Sequence, residues 1–408
     1  MSWIVPLSAA DDPSLVGAKA HGLYVLHHLG LPVPPGFAVA ITLHRAGRFP
    51  PSFDAELTTA LQALETTTGP GPLRVSVRSG APVSMPGMMA TVLDVGASEV
   101  RDAIEQVLAS WDSPRATTYR RLHDIDDDLG TAVVVQAMVY GDRDEHSASG
   151  VAFSRDPMTG DPAPYGEVVF RAHGVDVVDG THPTRPLTDL ATRIPDAWHA
   201  LRTALTTTER HYRDVCHLEF TIESGNLWLL QVRPGGIAPS AAARIAVDLV
   251  HDGILTREEA VARVDLAHHT PQLPAGVPVL TRGTPASPGL ASGRTALTAD
   301  DAVRLAAHGP VILVRPTTSP ADLHGLAAAA GVITFRGGPT SHAAVVARSM
   351  NKPAVVGAEE VTLSDGTEVT IDGTTGIVTP GIHSGVTSSD DPAMKLLRQW
   401  STYGLAEN

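Results

Sequence analysis

The stretch GGPTSHAAVVARSM, residues 337–350, places one histidine directly after a glycine-containing turn and at the start of an apolar helix. A neutral imidazole nitrogen is a competent nucleophile, and the unsatisfied N–H groups at a helix start bind phosphate oxygens. A phosphoryl group on His342 would bring its negative charge to the positive end of the helix dipole. The pattern therefore indicates a histidine that is phosphorylated during a reaction.

The neighbours of His342 have residue types that suit a phosphate-binding loop. Gly337 and Gly338 let the backbone approach a ligand closely, because they carry no side chain. Thr340 and Ser341 offer hydroxyl groups that either cap the helix or bond the phosphoryl oxygens. The alternative is purely structural: Ser341 is then an ordinary N-cap and His342 a surface residue.

A second set of phosphate-binding candidates lies in the N-terminal part of the chain. The segment SVRSGAPVSMPGMMATVLDVG places Arg78 at the end of a predicted strand, ahead of a loop of small residues. Gly87 allows that loop to close over phosphates, and Lys19 supplies a positive charge in a glycine-flanked turn before a helix. The alternative is that both cations are ordinary solvated charges. There is no G-x-x-x-x-G-K-[ST] loop and no dinucleotide-binding fingerprint.

Two regions of regular structure must position these groups. Before about residue 238, residues 17–30 predict a helix that ends at Gly30, LRVSVRSG and TAVVVQAMVYG predict strands, and LEFTIESGNLWLLQVR predicts a β-hairpin. Next comes a helical segment in which Thr256 and Glu259 form a capping box. Residues 266–285 are rich in proline and predict a flexible linker, which would reach roughly 65 Å if fully extended at ~3.3 Å per residue. Beyond it, strands and helices alternate quickly, as in a compact α/β domain.

Bulk properties exclude several classes of protein. The 408-residue chain carries a net charge of −14, which argues against nucleic acid or an anionic membrane as its main partner. The N-terminus does not resemble a signal peptide, and no apolar run is long enough to span a bilayer. Cys216 is the one cysteine, so an intrachain disulfide cannot form. We therefore expect a cytoplasmic protein.

The stretches TSPADLHG, GVITFRGGPTSHAAVVARSMNKPAVVGAEE and IDGTTGIVTPG resemble the phosphohistidine domain of pyruvate phosphate dikinase and phosphoenolpyruvate synthase. Further motifs, among them GAKAHGLYVLHHLGLPVPPGF, SVRSGAPVSMPGMM and SGVAFSRDPMTG, occur in the order found in the ATP-grasp domain of the dikinases. The resemblance implies an α/β chain with an α+β ATP-grasp domain over residues 1–238. A helical segment and flexible linker (239–284), a swivelling phosphohistidine domain (285–383) and a C-terminal tail (384–408) would follow.

The resemblance also implies individual roles. His342 would carry the phosphoryl group. Lys19 and Arg78 would bind the ATP phosphates, Gly87 would belong to the phosphate loop, and the run around Gln136 and Met138 would line the adenine pocket.

The same resemblance implies a metal site in the β-hairpin. Glu219 and Gln231 would bind Mg²⁺ and the nucleotide on adjacent strands, with Arg233 beside them. One carboxylate and one amide suffice for Mg²⁺, because phosphate oxygens complete its coordination shell. His217 and Ala90 stand where dikinases carry aspartates, and of these two differences the one at His217 bears on the expected metal binding.

The chain would then be a dikinase-like, Mg²⁺-dependent phosphotransferase that phosphorylates its own His342 while ATP becomes AMP. We find no counterpart of the family's C-terminal barrel of ~250 residues, which binds pyruvate or phosphoenolpyruvate. We therefore expect the acceptor, pyruvate or a related substrate, to be bound by a separate chain. Two alternatives stay open: direct transfer to a small-molecule acceptor, such as a secondary metabolite or antibiotic, and a catalytically silent nucleotide-sensing protein.

Overall fold

The computed structural model describes residues 2–172, 184–267, 271–387 and 391–403. Helices and strands are mixed throughout, which confirms the α/β class. The helices are α1 (Pro13–His28), α2 (Ile41–Ala46), α3 (Phe53–Thr68), α4 (Val100–Ala109), α5 (Pro114–Leu122), α6 (Leu190–Arg193), α7 (Pro195–Tyr212), α8 (Pro239–His251), α9 (Arg257–Arg263), α10 (Ala299–Ala306), α11 (Leu323–Ala328), α12 (His342–Ser349) and α13 (Pro392–Tyr403).

The strands are β1 (Ile4–Pro6), β2 (Gly36–Val39), β3 (Arg74–Gly80), β4 (Thr91–Gly96), β5 (Ala132–Ala137), β6 (Ala148–Phe153), β7 (Tyr165–Phe170), β8 (Arg185–Pro186), β9 (Cys216–Glu223), β10 (Asn226–Pro234), β11 (Pro271–Gln272), β12 (Thr281–Arg282), β13 (Thr284–Ser287), β14 (Leu290–Ala296), β15 (Val311–Arg315), β16 (Gly331–Thr334), β17 (Ala354–Val356), β18 (Glu368–Asp372), β19 (Ile377–Pro380) and β20 (Val386–Thr387).

The residues divide into two compact units. The first consists of Met1–Ser149, Phe170–His173 and Leu218–Val232, and the second of Gly150–Val169, Gly174–His217 and Arg233–Asn408. The domain boundaries implied by the sequence resemblance stay a prediction.

A five-stranded sheet in the first unit has the order β1-β2-β5-β3-β4. Its central strand, β5, comes from the apolar run TAVVVQAMVYG, and every residue of the strand is buried. β2 and β3 flank it in antiparallel pairing, with Phe37 opposite Val135 and Arg78 opposite Val134. Apolar side chains of α3 and α4 join the strands in one core. The two strands predicted in this region are confirmed.

Helix α1 begins earlier than the sequence pattern predicts. Asp12 caps it by accepting a hydrogen bond from the Ser14 backbone N–H at 2.9 Å. Gly17 interrupts the helix with φ 77° and ψ 165°, and Gly30 follows its last turn with φ 71°. The predicted end of the helix is thus confirmed. Its first turn precedes residue 17, where the apolar pattern that predicted the helix begins.

A second five-stranded sheet has the order β10-β9-β6-β7-β8. Strands β9 and β10 form the predicted hairpin. Ser224 and Gly225 occupy the two turn positions with φ 48° and 83°, as expected for a turn in which both central residues are left-handed. The hairpin places Glu219 and Gln231 on neighbouring strands.

Helices α8, α9 and α13 of the second unit share one apolar cluster, which includes Leu249, Ala260 and Leu397. At the start of α9, the Thr256 hydroxyl accepts from the Glu259 N–H at 3.2 Å, and the Glu259 carboxylate accepts from the Thr256 N–H at 2.8 Å. The predicted capping box is therefore confirmed.

The segment predicted as a flexible linker contains short strands. β11 pairs with β20, and β12 pairs with β19, both antiparallel. The stretch between β11 and β12 is residues 273–280, which reaches roughly 26 Å at ~3.3 Å per residue. Two-residue strands are too short to give a periodic pattern, so the sequence did not reveal them.

An eight-stranded sheet in the second unit has the order β12-β19-β18-β14-β15-β16-β17-β13. Strands β14, β15, β16 and β17 are parallel to one another. Helix α11 connects β15 to β16, and α12 connects β16 to β17. Carboxyl ends of parallel strands meet at one edge of a sheet, where open α/β sheets bind ligands. The loops that follow β15 and β16 at this edge contain the histidine site.

Candidate active site

His342 is the first residue of α12 and follows the loop that leaves β16. The residue is 7% exposed. Its Nδ1 lies 3.2 Å from the hydroxyl oxygen of Thr318, which belongs to the loop after β15. Its Nε2 is buried and has no hydrogen-bond partner among the described residues. One ring nitrogen is therefore oriented by the protein, and the other makes no contact that would occupy its lone pair.

Burial lowers the pKa of His342 from 6.5 to about 4, and the nearby charge of Asp322 opposes this shift. The ring is therefore neutral at pH 7. When Nδ1–H donates to the Thr318 hydroxyl, the lone pair lies on Nε2, which is then the nucleophilic atom. Asp322 is itself held in place, because its carboxylate accepts from the Ser319 N–H at 2.9 Å.

The low pKa of His342 predicts a specific loss of stability in acid. As pH falls through 6.5 the unfolded chain gains a proton on this histidine, whereas the folded protein stays neutral there until about pH 4. The fold should lose up to about 3 kcal/mol over this window. Urea unfolding at pH 7, 5.5 and 4 should therefore show a smaller acid loss for His342→Gln than for the wild type. Equal losses in the two proteins would contradict the shift.

The hydroxyl groups before His342 do not cap α12. Ser341 occupies the N-cap position without a side-chain cap hydrogen bond, and its buried Oγ has no partner within the described part of the chain. Thr340 donates its backbone N–H at 3.0 Å and its hydroxyl to the Glu167 carboxylate. The structural alternative is wrong in making His342 a surface residue, whereas Ser341 does occupy the N-cap position, although without a side-chain cap.

Both glycines of the loop are required by their surroundings. Gly337 has φ 96°, a left-handed conformation that residues with side chains rarely adopt. A Cβ on Gly338 would lie 2.0 Å from Oε1 of Glu167. The backbone at Gly338 is therefore closely approached, as expected, and the group that approaches it in this structure is the Glu167 carboxylate.

Arg78 lies on β3 of the first unit, and its side chain is buried. Its Nη2 donates to the side-chain oxygen of Gln136 on β5, and Nε2 of Gln136 donates to the Pro34 carbonyl at 2.9 Å. Arg78 Nε has no partner among the residues described. Burial lowers the pKa of the Arg78 guanidinium, and the charge of Glu219 opposes this. Such a buried cation with an unpartnered donor suits an anionic ligand.

Lys19 is positioned by a close contact between α1 and the end of β3. A Cβ on Gly17 would lie 1.6 Å from the Gly80 carbonyl oxygen, so only glycine permits this approach. A Cβ on Gly80 would in turn lie 3.6 Å from Cβ of Lys19. The contact brings Lys19 to the end of the strand that carries Arg78.

The predicted phosphate loop is a tight turn supported by α5. Gly87 has φ 73°, and the Met88 N–H donates to the Met85 carbonyl at 3.2 Å. Nε of Arg115 on α5 donates to the Met88 carbonyl at 2.8 Å. Sequence reasoning missed this role of Arg115, which lies in the stretch WDSPRATTYRRL.

Gln136 and Met138 lie on and just after β5. The Gln136 side chain already bonds Arg78 and Pro34, and the Met138 N–H donates to the Arg74 carbonyl at 2.9 Å. Gln136 therefore contacts a predicted phosphate-binding residue directly. Its place in an adenine pocket, and that of Met138, stay predictions.

The expected metal ligands Glu219 and Gln231 both belong to the first unit, and Gln231 is buried. Glu219 acts electrostatically on Arg78. Glu219 and Gln231 offer a carboxylate and an amide oxygen, the ligand types that suit Mg²⁺ that takes its other ligands from phosphate and water. No cluster of three His, Cys, Asp or Glu side chains that could hold a metal occurs among the described residues. The ligand types of Glu219 and Gln231 therefore suit an ion that a bound nucleotide also coordinates.

The flanking residues Arg233 and His217 belong to the second unit. The His217 ring stacks on Phe153 with 4.4 Å between ring centroids. An aromatic stack therefore fixes the His217 side chain.

Two residues that contact the His342 loop were not identified from sequence. Thr318 lies in the run TTSPAD after β15, and a hydroxyl residue after a strand next to β16 is a signal that could have found it. Glu167 is separated from Thr340 by 173 residues, and no local pattern connects them.

Two family models match this chain. The AMP/ATP-binding domain of pyruvate phosphate dikinase matches residues 41–192, and the mobile domain of PEP-utilising enzymes matches residues 307–376, which contain His342. The chain therefore combines a nucleotide-binding domain with a mobile domain of the kind that carries phosphohistidine.

Pyruvate, phosphate dikinase of Rhizobium meliloti is 35% identical over 91% of this chain and 56% of its own length. The enzyme of that name from Clostridium symbiosum is 34% identical over 91% of this chain and 57% of its own. Among solved structures, D-cycloserine synthetase DcsG is 13% identical, covering 53% of this chain and 62% of its own, with a TM-score of 0.32. The chain belongs to the pyruvate, phosphate dikinase family and spans a little over half the length of these dikinases.

Within the described ranges, no helix has the length and apolar content that crossing a membrane requires.

Proposed function

We propose that this chain transfers a phosphoryl group from ATP through His342. The observation that carries the proposal is the buried, neutral imidazole of His342, whose Nε2 has no partner among the described residues. The ring lies at the carboxyl ends of the parallel strands β15 and β16. It lies in the span that matches the PEP-utilising mobile domain. The ATP-binding domain match, together with buried Arg78 and nearby Lys19, supports ATP as the donor.

In the proposed first step, Nε2 of His342 attacks the β-phosphorus of ATP. A P–N bond forms, and the bond from the β-phosphorus to the oxygen that bridges it to the α-phosphorus breaks. AMP leaves with that oxygen, and Nδ1 of the ring releases its proton. The terminal phosphoryl group of the resulting pyrophosphoryl-histidine then passes to inorganic phosphate or water, which leaves phosphohistidine. This sequence of steps follows the family resemblance.

The side chains of the first unit would bind and orient ATP. Lys19 and Arg78 would neutralise charge on its phosphates, and the turn at Gly87 would close over them. Glu219 and Gln231 would hold Mg²⁺, which when bound withdraws charge from the transferred phosphoryl group. Arg233, on β10 of the hairpin, would add a further positive charge.

Phosphohistidine would finally donate its phosphoryl group to pyruvate or a related acceptor. The name of the related dikinases supports pyruvate. We propose that a separate chain binds this acceptor, and that the matched ATP-binding and mobile domains supply the donor side of the reaction.

Incubation with Mg²⁺ and ATP labelled with ³²P at the β or the γ position tests the proposal. We expect a protein-bound label that is stable in base and labile in acid. After inorganic phosphate is added, label should be kept from β-labelled ATP and lost from γ-labelled ATP. Label from the γ position alone would contradict the dikinase-like route. No label from either position would contradict phosphotransfer and support the nucleotide-sensing alternative.

A further inference from the structure

Glu167 on β7 holds the loop that precedes His342. Its carboxylate is almost fully buried, with the residue 8% exposed. It accepts two hydrogen bonds from Thr340, from the backbone N–H at 3.0 Å and from the hydroxyl. The Thr184 hydroxyl donates a third at 2.6 Å. The backbone at Gly338 lies so close that any side chain there would collide with this carboxylate.

A cation from α12 holds the same loop at the neighbouring residue. Nη2 of Arg348 donates to the Pro339 carbonyl at 2.8 Å, and Nη1 donates to the Ala286 carbonyl at 2.7 Å. Burial lowers the pKa of Arg348 to about 10, and the charge of Glu167 is among those that oppose the shift. The adjacent loop residues Pro339 and Thr340 are thus held by a buried guanidinium and a buried carboxylate, respectively.

The backbone N–H and the hydroxyl of Thr340, which donate to Glu167, are groups that also suit a phosphoryl oxygen. A backbone N–H and a hydroxyl just before a helix form a typical anion-binding arrangement. The next two side chains contribute buried atoms without partners among the described residues, Ser341 Oγ and His342 Nε2. The Glu167 carboxylate therefore engages the Thr340 donors while the nucleophilic nitrogen, His342 Nε2, is buried. Two anions cannot share these donors without strong repulsion.

The geometry points to Glu167 as a positioning residue that holds the His342 loop in its unphosphorylated position and competes with the phosphoryl group for the Thr340 donors. The inference rests on the proposed function, because it takes His342 to be the phosphorylated residue. Separation of Thr340 from Glu167 uncovers Nε2, and the phosphoryl group then takes the donors that the carboxylate had engaged. The negative charge of the phosphoryl group prevents the carboxylate from returning until the group has been transferred.

Diethyl pyrocarbonate measures the accessibility of His342 without nucleotide or metal. The ring nitrogen attacks a carbonyl carbon of the reagent, the ring loses its proton, and ethyl carbonate leaves. Mass spectrometry of the His342 peptide gives the rate at this one histidine. We expect Glu167→Gln to raise that rate on the order of tenfold, because an uncharged amide holds the Thr340 donors more weakly than a carboxylate.

The control is Glu360→Gln, the same change at an exposed glutamate of the second unit, which should react at the wild-type rate. Thermal melts establish that each variant is folded. Thr340→Val, which removes the hydroxyl donor, should also raise the rate, and Glu167→Gln should add little in that background. A wild-type rate in folded Glu167→Gln, or a full increase that persists in Thr340→Val, overturns the inference. Since the reagent replaces ATP, either result is independent of whether ATP labels the protein.

Discussion

The His342→Gln variant should lose essentially all phosphoryl labelling from ATP, a decrease of about 1,000-fold or more, because no other group can replace the nucleophile. Glutamine is polar and close in size to histidine, so the loop between β16 and α12 should keep its conformation. The rate of acid-labile ³²P incorporation from β-labelled ATP measures the effect. Binding of a fluorescent ATP analogue should be retained, since Lys19 and Arg78 belong to the first unit.

The matched control is His308→Gln, which changes an exposed histidine after α10 in the second unit. This variant should be labelled at the wild-type rate. Persistent labelling of His342→Gln would show that a different residue accepts the phosphoryl group, and the proposed function would then be wrong.

Gly17→Ala should be the most destabilising of the single substitutions considered for the first unit. Its φ of 77° disfavours any side chain, and the new Cβ would lie 1.6 Å from the Gly80 carbonyl oxygen. Strain and forced separation of α1 from β3 together should cost about 4 kcal/mol. Urea unfolding followed by circular dichroism measures this loss. Labelling by ATP should fall as well, because Lys19 is positioned by the same contact.

Gly30→Ala separates the effect of backbone strain from that of the lost contact between α1 and β3. Gly30 follows the same helix with φ 71°, but a Cβ added there would have no neighbouring atom within 4 Å. It should lose only about 1 kcal/mol, the cost of the left-handed backbone alone. Similar losses for the two alanine variants would show that the helix–strand contact is not what requires Gly17.

Local patterns were sufficient for most elements of this fold. The run TAVVVQAMVYG predicted a buried strand, and Thr256 with Glu259 predicted a helix start, because burial and capping are encoded by neighbouring residues. The strand pairs β11–β20 and β12–β19 were not predicted. Each joins segments far apart in the chain, and each involves a strand of only two residues.

The candidate site shows the same limit. His342 and its glycines were identified from one short motif, and Arg78 from the end of one strand. The partners that set their chemistry come from distant parts of the sequence: Thr318 bonds His342, Gln136 bonds Arg78, and Glu167 holds Thr340. The burial that makes the imidazole neutral is likewise a property of the packed fold, so the sequence could not reveal it.

The pairing of β11 with β20 has a consequence for the portion of the chain between these strands, residues 273–385, which contains the eight-stranded sheet and His342. The polypeptide enters and leaves this portion through adjacent strands, so both of its ends lie at one place. A portion of a protein with neighbouring ends can be inserted into, or removed from, a longer polypeptide without disturbing its own core. The eight-stranded sheet and its histidine thus have the chain connections of an inserted domain.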